Sequence, residues 1–528
     1  MASRFSIERI LALVLLVAVG CAPSKKATVP KPLPAPPPSA PSIPQPIPSA
    51  PEAPIHLRVA YPVPGQWRPT VDSNFIFGTT GNGHASLTIN GYPVPVWKNG
   101  AFLAFLPMPS DGVYHLVARR GNDLDSSTVA YRAKTIPGVQ APIENVPEKE
   151  HRTLDTWAEI VKGSDTVQTG NDVAPGARTP DGNREWFFPR GAWVRVVEQQ
   201  GKYYRVELDK NTYAWVADTN FELRPGERHA RSGETGGLYP AGHYLDLVLP
   251  CDHNAFKIVP EGTALQIHIY GEAHPGSLQP SQPDPLIHNI GYDSSAVGTD
   301  VTVLMSKPVW GYKAFYTQDG SLDVRIRRPP TIDVNNPLKG IRIMLDPGHP
   351  PGGAIGPTGL TEREANLAEA EKVRDQLAQK GAIVEMTHSD LHGVVSDDAQ
   401  VEELEARSAL AVRENVDLMV SLHNNAFPDG TDPFLNYGTS TYYYHPFSAM
   451  LAADLDHEIS QVTGIPNLGS FQKSLAICRP TWMPCALTES LYMMFPDQEA
   501  ALRDPAFLDK LAAAHVRGIE NFLRERAQ

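Results

Sequence analysis

A chain of 528 residues is too long for a single hydrophobic core, so several domains are expected. Hydrophobic residues make up 41% of it, enough for each domain to bury a core of its own. A formal net charge of −13 argues against nucleic acid as a partner, but not against a polymer held through sugar and peptide contacts.

Residues 1–21 read as an export segment. Arg4 and Arg9 precede the apolar run Ile10–Val19, which is too short to span a bilayer as a helix. The run ends at Ala18-Val19-Gly20-Cys21, which resembles the lipobox of bacterial lipoproteins. That resemblance implies cleavage before Cys21, acylation of its thiol and a lipid anchor in a membrane. An ordinary secretory peptide is the alternative. Ala22 after the cysteine, rather than Asp, implies the periplasmic face of the outer membrane. Residues 22–55 carry thirteen prolines among Ser and Ala and are expected to be an extended linker. Fully extended at about 3.1 Å per residue, the linker reaches roughly 100 Å.

Three short-stranded β segments follow. Residues 56–145 contain HASLTI, AFLAFL and YHLVAR, with Asn90-Gly91, Asn99-Gly100 and Asp111-Gly112 as tight turns, and suggest a β-sandwich. Phe75, Phe77, Trp97, Phe102 and Phe105 are expected in its core. Residues 160–228 form a compact β unit that resembles bacterial SH3-like modules, in which Trp186, Tyr203, Tyr204 and Trp215 serve either a small core or a binding groove. Residues 232–332 alternate as a second sandwich with one solvated face. Pro329-Pro330 and Asn335-Asn336-Pro337 mark the next boundary.

From 338 to 528 the period changes, and strands alternate with helices. IRIMLDPG, AIVEMTH, DLMVSLHN, TSTYYYH, SLAICR and CALTES are expected as strands. Helices are expected over 364–380, 401–414, 447–462 and 505–526. This pattern predicts a layered α/β domain with a mostly parallel or mixed sheet. Cys478 and Cys485 flank the loop Arg479–Pro484 and either pair or remain two buried thiols, while Cys251 reads as a core residue. No cysteine pair has zinc-finger spacing.

Three apolar strands in this part end on metal-capable or acidic residues, at His349, His423 and Glu489, and Glu362 lies in the turn that opens a helix. In α/β sheets, sites form beyond the carboxyl ends of strands. Two imidazoles and a carboxylate make a three-ligand zinc set with a fourth position open to water, and a further carboxylate can take that water's proton. Seven histidines occur in this stretch, so the choice rests on strand-end context; His388, His392, His445, His457 and His515 lack it.

The motifs LDPGH, G-x-x-G-L-T-E-R with Asn366-Leu367 three residues on, SLHNNA and LTES resemble the zinc-dependent N-acetylmuramoyl-L-alanine amidases of the amidase 3 type. The resemblance implies one Zn²⁺ per catalytic domain, held by His349, Glu362 and His423, with Glu489 as general base. It implies peptidoglycan as partner and hydrolysis of the amide between N-acetylmuramic acid and L-alanine, in wall remodelling or cell separation. A catalytically silent wall-binding scaffold and a zinc peptidase cutting within the stem peptide are the alternatives, and an activating protein remains open. Pro350-Pro351 depart from the family's Gly-Gly after the first histidine, and Thr387-His388 and Phe495-Pro496-Asp497 depart further on. Asp346 is a candidate to orient a ligand, Arg479 to meet a stem-peptide carboxylate and Asn425 to touch the substrate amide. Some amidases of this family carry an extra helix between the later ligand and the catalytic glutamate that plugs the site. Here the chain from His423 to Glu489 is compact, with a single expected helix that the fold already requires, so an unplugged site is expected.

Overall fold

The computed structural model describes residues 54–134, 151–163, 173–226, 236–271, 279–295 and 298–527, apart from a few isolated positions within them. The expected export segment, Cys21 and nearly all of the proline-rich linker lie outside the described residues. Among the described residues, no helix is long and apolar enough to cross a membrane.

The first β region pairs Arg58–Tyr61, Ser73–Thr79 and Ala101–Pro107 in one sheet and four strands between Ser86 and Ala130 in a second. Ile76, Phe102, Leu106, Leu87, Ile89, Tyr114 and Leu116 fill the space between them. The alternation in AFLAFLP sends Phe102 into that core, while Leu103 faces the other way. Leu103, Phe75 and Phe77 join the apolar core of the C-terminal domain. Trp97 and Phe105 are only partly buried.

A single seven-stranded antiparallel sheet follows, and it includes His151–Ile160, a strand not anticipated from the sequence. That strand pairs with both Trp193–Gln200 and Phe221–Arg224. Trp186 is buried in the core of this unit, whereas Tyr203, Tyr204 and Trp215 are half-buried. Next, a five-stranded and a four-stranded sheet share a core of Leu245, Leu247, Ile267, Val301, Val303 and Val324. This unit is tied to the C-terminal domain by Arg327, whose guanidinium donates to Asp417 at 2.8 Å and to the Val416 carbonyl at 2.6 Å.

In the C-terminal domain the elements run β1 (Arg342–Pro347), α1 (Glu362–Gln379), β2 (Ile383–Met386), α2 (Gln400–Arg413), β3 (Leu418–Asn425), β4 (Thr439–Tyr443), α3 (Ala449–Thr463), β5 (Asn467–Gln472), β6 (Cys485–Tyr492), α4 (Pro496–Leu502) and α5 (Pro505–Ala527). The six-stranded sheet has the order β2-β1-β3-β6-β4-β5. It is mixed: β2, β1, β3 and β6 are parallel, and β4 meets β6 antiparallel. One face, with Ile343, Leu345, Val420 and Leu422, packs in the main core with Val373, Leu455 and Leu511 from α1, α3 and α5. The other carries Met344, Met419, Cys485 and Leu487 against Ala411 of α2 and the Ile477–Cys478 turn.

Two elements differ from the sequence reading. SLAICR is no strand; Ala476–Cys478 forms one 3₁₀ turn, with both Cys478 and Cys485 buried as free thiols. The edge strand is instead Asn467–Gln472, which no periodicity marks because an edge strand buries few of its side chains. Phe495-Pro496-Asp497 opens the short helix α4, with proline at the first helical position where its missing N–H costs nothing.

Candidate active site

β1 is apolar because it is covered on both faces, and it delivers Asp346-Pro347-Gly348-His349 at its carboxyl end. Gly348 is required there: a Cβ would lie 2.3 Å from the His423 imidazole. His349 itself takes the left-handed conformation, with φ of 64°. Its Nδ1 bonds the Pro351 carbonyl at 2.8 Å, which turns Nε2 toward Glu362 Oε2 at 3.2 Å. The carbonyl of the second proline thus orients the first imidazole.

Glu362 is the first residue of α1. Thr361 caps that helix in a reciprocal box with Glu364, its backbone N–H donating to Glu364 Oε2 at 2.9 Å. The Glu362 carboxylate is then held by the Ala354 N–H at 2.8 Å and faces His423 Nδ1 at 3.2 Å. His423 arrives from β3, next to β1, and the two imidazoles stand 5.0 Å apart at 79°. Burial works against the charged Glu362, but hydrogen bonds and charge from both imidazoles overcome it and hold its carboxyl far below the usual range. For His349 burial opposes the proton, and the Glu362 carboxylate outweighs it and raises the imidazole's pKa.

The donor atoms of His349, Glu362 and His423 all lie within 4.8 Å of one another. Tetrahedral ligands at about 2.0–2.1 Å from a zinc ion sit about 3.3 Å apart. The N,N,O donor set suits that ion, and each imidazole nitrogen lies 3.2 Å from a Glu362 oxygen, His349 from Oε2 and His423 from Oε1.

Glu489 lies on β6 directly across from His423. Its Oε2 is buried and has no hydrogen-bond partner among the described residues. Burial pushes its carboxyl pKa well up, the charges of Glu362 and Glu369 add to this, and Lys473 opposes it. An unsatisfied carboxylate oxygen beside a three-donor cluster is costly to the fold and available to a proton.

Behind the cluster sits a polar scaffold largely missed in the sequence. Arg407 of α2 is 1% exposed, and its guanidinium bonds Glu403 at 2.9 Å, Asp346 at 3.2 Å, the Pro347 carbonyl at 3.0 Å and the Pro350 carbonyl. Asp346 also accepts from Ser421 Oγ at 2.6 Å and Thr387 Oγ1 at 2.7 Å. It therefore braces β1, β3 and α2, and these bonds go to neither the His349 nor the His423 imidazole. His388 bonds Thr387 at 3.0 Å and the His349 backbone. On the other face Asn366 donates to the Gly348 carbonyl at 3.0 Å and accepts from Asn424 at 3.0 Å. Asn424 and Ser490, the neighbours of His423 and Glu489, also donate to buried Glu369 at 3.3 and 3.2 Å. The spacing Glu362, Asn366, Glu369 along α1 was the available signal for this face. Arg479 bonds Ser474 at 3.2 Å and follows the turn packed at the start of β6, away from the cluster. Asn425 spends its side-chain oxygen on the Ala426 N–H at 2.8 Å.

The first β region also reaches this end of the sheet. Arg58 donates to the Thr358 carbonyl at 2.7 Å in the loop before Glu362, and Tyr61 and Asn74 both bond Asp429 in the loop after β3.

A family model described as N-acetylmuramoyl-L-alanine amidase matches residues 343–521. A curated relative from Staphylococcus aureus, "Probable cell wall amidase LytH", is 31% identical over 190 residues, covering 35% of this chain and 59% of that protein. The counterpart from Staphylococcus epidermidis is 28% identical over 194 residues, covering 36% of this chain and 60% of that one. The match thus spans less than two thirds of the length of these relatives. Among solved structures, the catalytic domain of CwlV, an N-acetylmuramoyl-L-alanine amidase from Bacillus (Paenibacillus) polymyxa, is 28% identical with a TM-score of 0.31, covering 35% of this chain and 98% of that one. AmiC2 of Nostoc punctiforme is 27% identical with a TM-score of 0.30, covering 35% and 98%.

Proposed function

We propose that the C-terminal domain is a zinc-dependent peptidoglycan amidase that hydrolyses the bond between N-acetylmuramic acid and the L-alanine of the stem peptide. The observation that carries this reading is the His349–Glu362–His423 cluster with the unpartnered Glu489 oxygen across from it. The family match over 343–521 supports the choice of bond.

In this reading His349 Nε2, His423 Nδ1 and a Glu362 oxygen hold the ion. When bound, zinc supplies Lewis acidity, lowering the pKa of an attacking water and polarising the scissile carbonyl. Glu489 takes the water's proton on a carboxylate oxygen and returns it to the departing alanine nitrogen. Arg407, through the Pro347 and Pro350 carbonyls, holds the His349 loop in place. Asn366 and Asn424 do the same for Gly348 and the end of β3. Among the described residues α3 is the only α-helix between His423 and Glu489; Leu451, Leu455 and Ile459 of this helix pack into the core on the face away from Glu489, in keeping with an unplugged site. The envelope address is part of the proposal and rests on the export segment and Cys21 as a lipid anchor.

The test is digestion of purified peptidoglycan with and without chelator. The expected result is chelator-sensitive release of intact stem peptides that begin with L-alanine. Products cut inside the stem would replace this reading with a peptidase. Binding without any release would make the domain a wall-binding scaffold.

A further inference from the structure

The face of the sheet that carries Glu489 continues past the metal-ligand cluster. β4 runs antiparallel to β6 with Ser440 opposite Glu489 and Tyr442 opposite Leu487. Side chains alternate along a strand, so Ser440 and Tyr442 share the Glu489 face, and Tyr444, just past the end of β4, packs against the same side of the sheet. Phe471 of β5 lies against the Tyr442 ring at 5.9 Å and is 45% exposed. The exposed Lys473 places its Nζ over the same ring at 5.4 Å, and its charge is felt at Glu489.

This track leads into a cavity of about 320 Å³ where three parts of the chain meet. Tyr444 and Gln472 come from the C-terminal domain, Trp186 and Phe187 from the seven-stranded sheet, and Phe256 and Lys257 from the following β unit. The volume lies within the range of small-ligand sites, and apolar walls with a few polar groups are their usual lining. Phe187 stands edge-on to Tyr444 at 6.5 Å, so the seven-stranded sheet forms a wall of the cavity directly. Lys257 is exposed, and neither it nor Lys473 has an ion-pair partner among the described residues. The one acid of the lining, Glu185, is already paired with Arg178 at 2.8 Å.

The spacing suits a short peptide. Tyr444 is four residues beyond Ser440, about 13 Å in extended chain, and the five residues of an extended pentapeptide span a similar length end to end. We propose that this cavity receives the carboxyl-terminal end of the stem peptide while the scissile amide lies at the His349–Glu362–His423 cluster. Lys257 meets the terminal carboxylate, and Lys473 meets a carboxylate midway. The proposal rests on the amidase reading and extends it. The two central β units then select stem length, in addition to any role as spacers.

The experiment measures kcat/KM of the full chain on N-acetylmuramoyl dipeptide and N-acetylmuramoyl pentapeptide. The expected result is a preference for the pentapeptide that falls about tenfold in Lys257→Ala, through KM, as expected for loss of one charge-assisted contact. Lys257→Arg should recover most of it. Lys257 is exposed, so its substitution leaves the fold intact. An unchanged pentapeptide-to-dipeptide ratio in Lys257→Ala would overturn the proposal while leaving the amidase reading in place. If the metal-loaded wild type cleaves neither substrate, the amidase reading fails and this proposal with it.

Discussion

Arg407→Lys probes how the site is built without touching the proposed metal ligands. The guanidinium makes four hydrogen bonds at 1% exposure: to Glu403, to Asp346 and to the carbonyls of Pro347 and Pro350. An ammonium keeps the charge but is a compact donor that cannot fork across all four acceptors. Glu403 and Asp346 should claim it, because they are charged and buried. The two proline carbonyls then lose a charged donor, each bond being worth about 1.5 kcal/mol, so a stability loss of about 3 kcal/mol is expected. The carbonyls flank His349, so the imidazole should also lose its fixed approach to Glu362. Substitutions of groups that orient a ligand typically cost about 10–100-fold in metal affinity. Urea denaturation gives the first quantity, and competition for zinc with a chromophoric chelator gives the second. Zinc affinity equal to wild type, in a variant that has lost the expected stability, would refute the claim that Arg407 positions the His349 loop.

Glu489→Gln should lower turnover on peptidoglycan by about 10²–10⁴-fold while metal content stays at one ion per chain; loss of the metal would place Glu489 among the ligands instead. Gly348→Ala should abolish tight zinc binding, since the added methyl would sit 2.3 Å from the His423 ring; metal analysis after dialysis checks this, and a fully loaded variant would show that the two imidazoles need not approach so closely. His445 is buried, with its pKa held down to about 4 by desolvation against a hydrogen bond to the Arg479 carbonyl. An unfolded histidine titrates near 6.5, so the stability that neutral His445 contributes is complete above that pH and is lost as pH falls toward 4. Between pH 7 and pH 5 the wild type should lose about 2 kcal/mol more than His445→Gln in paired denaturation curves. Parallel pH slopes for the two proteins would contradict this.

What could be read beforehand follows from how each residue acts. His349 follows the end of β1 by two residues and His423 stands near the end of β3, where an apolar run gives way to polar side chains, so local pattern marks them; Glu489, expected at a strand end, lies inside β6, which continues through Tyr492. By sequence Glu362 lies in the turn that opens a helix expected from 364; the helix starts at Glu362 itself, behind the Thr361–Glu364 capping box. Arg407 had no such marker. Read by period, α2 shows Leu404 and Ala411 as its inner stripe, yet the buried face carries Glu403, Arg407, Ser408 and Ala411. A charge-bearing inner face reads as solvent-facing until the carboxylate of Asp346, sixty-one positions away, is brought beside it. The same limit applies to the edge strand Asn467–Gln472, whose exposed side chains carry no burial period. It applies as well to the contact of Tyr61 and Asn74 with Asp429, more than three hundred and fifty residues apart. Residues that act through their own strand or helix end were legible; residues that act by bridging elements become visible only when the fold supplies the second partner. Arg407 is of the second kind. The His349 loop, of the first kind, depends on it through the Pro347 and Pro350 carbonyls, so the legible part of the site is held in shape by a part that was not.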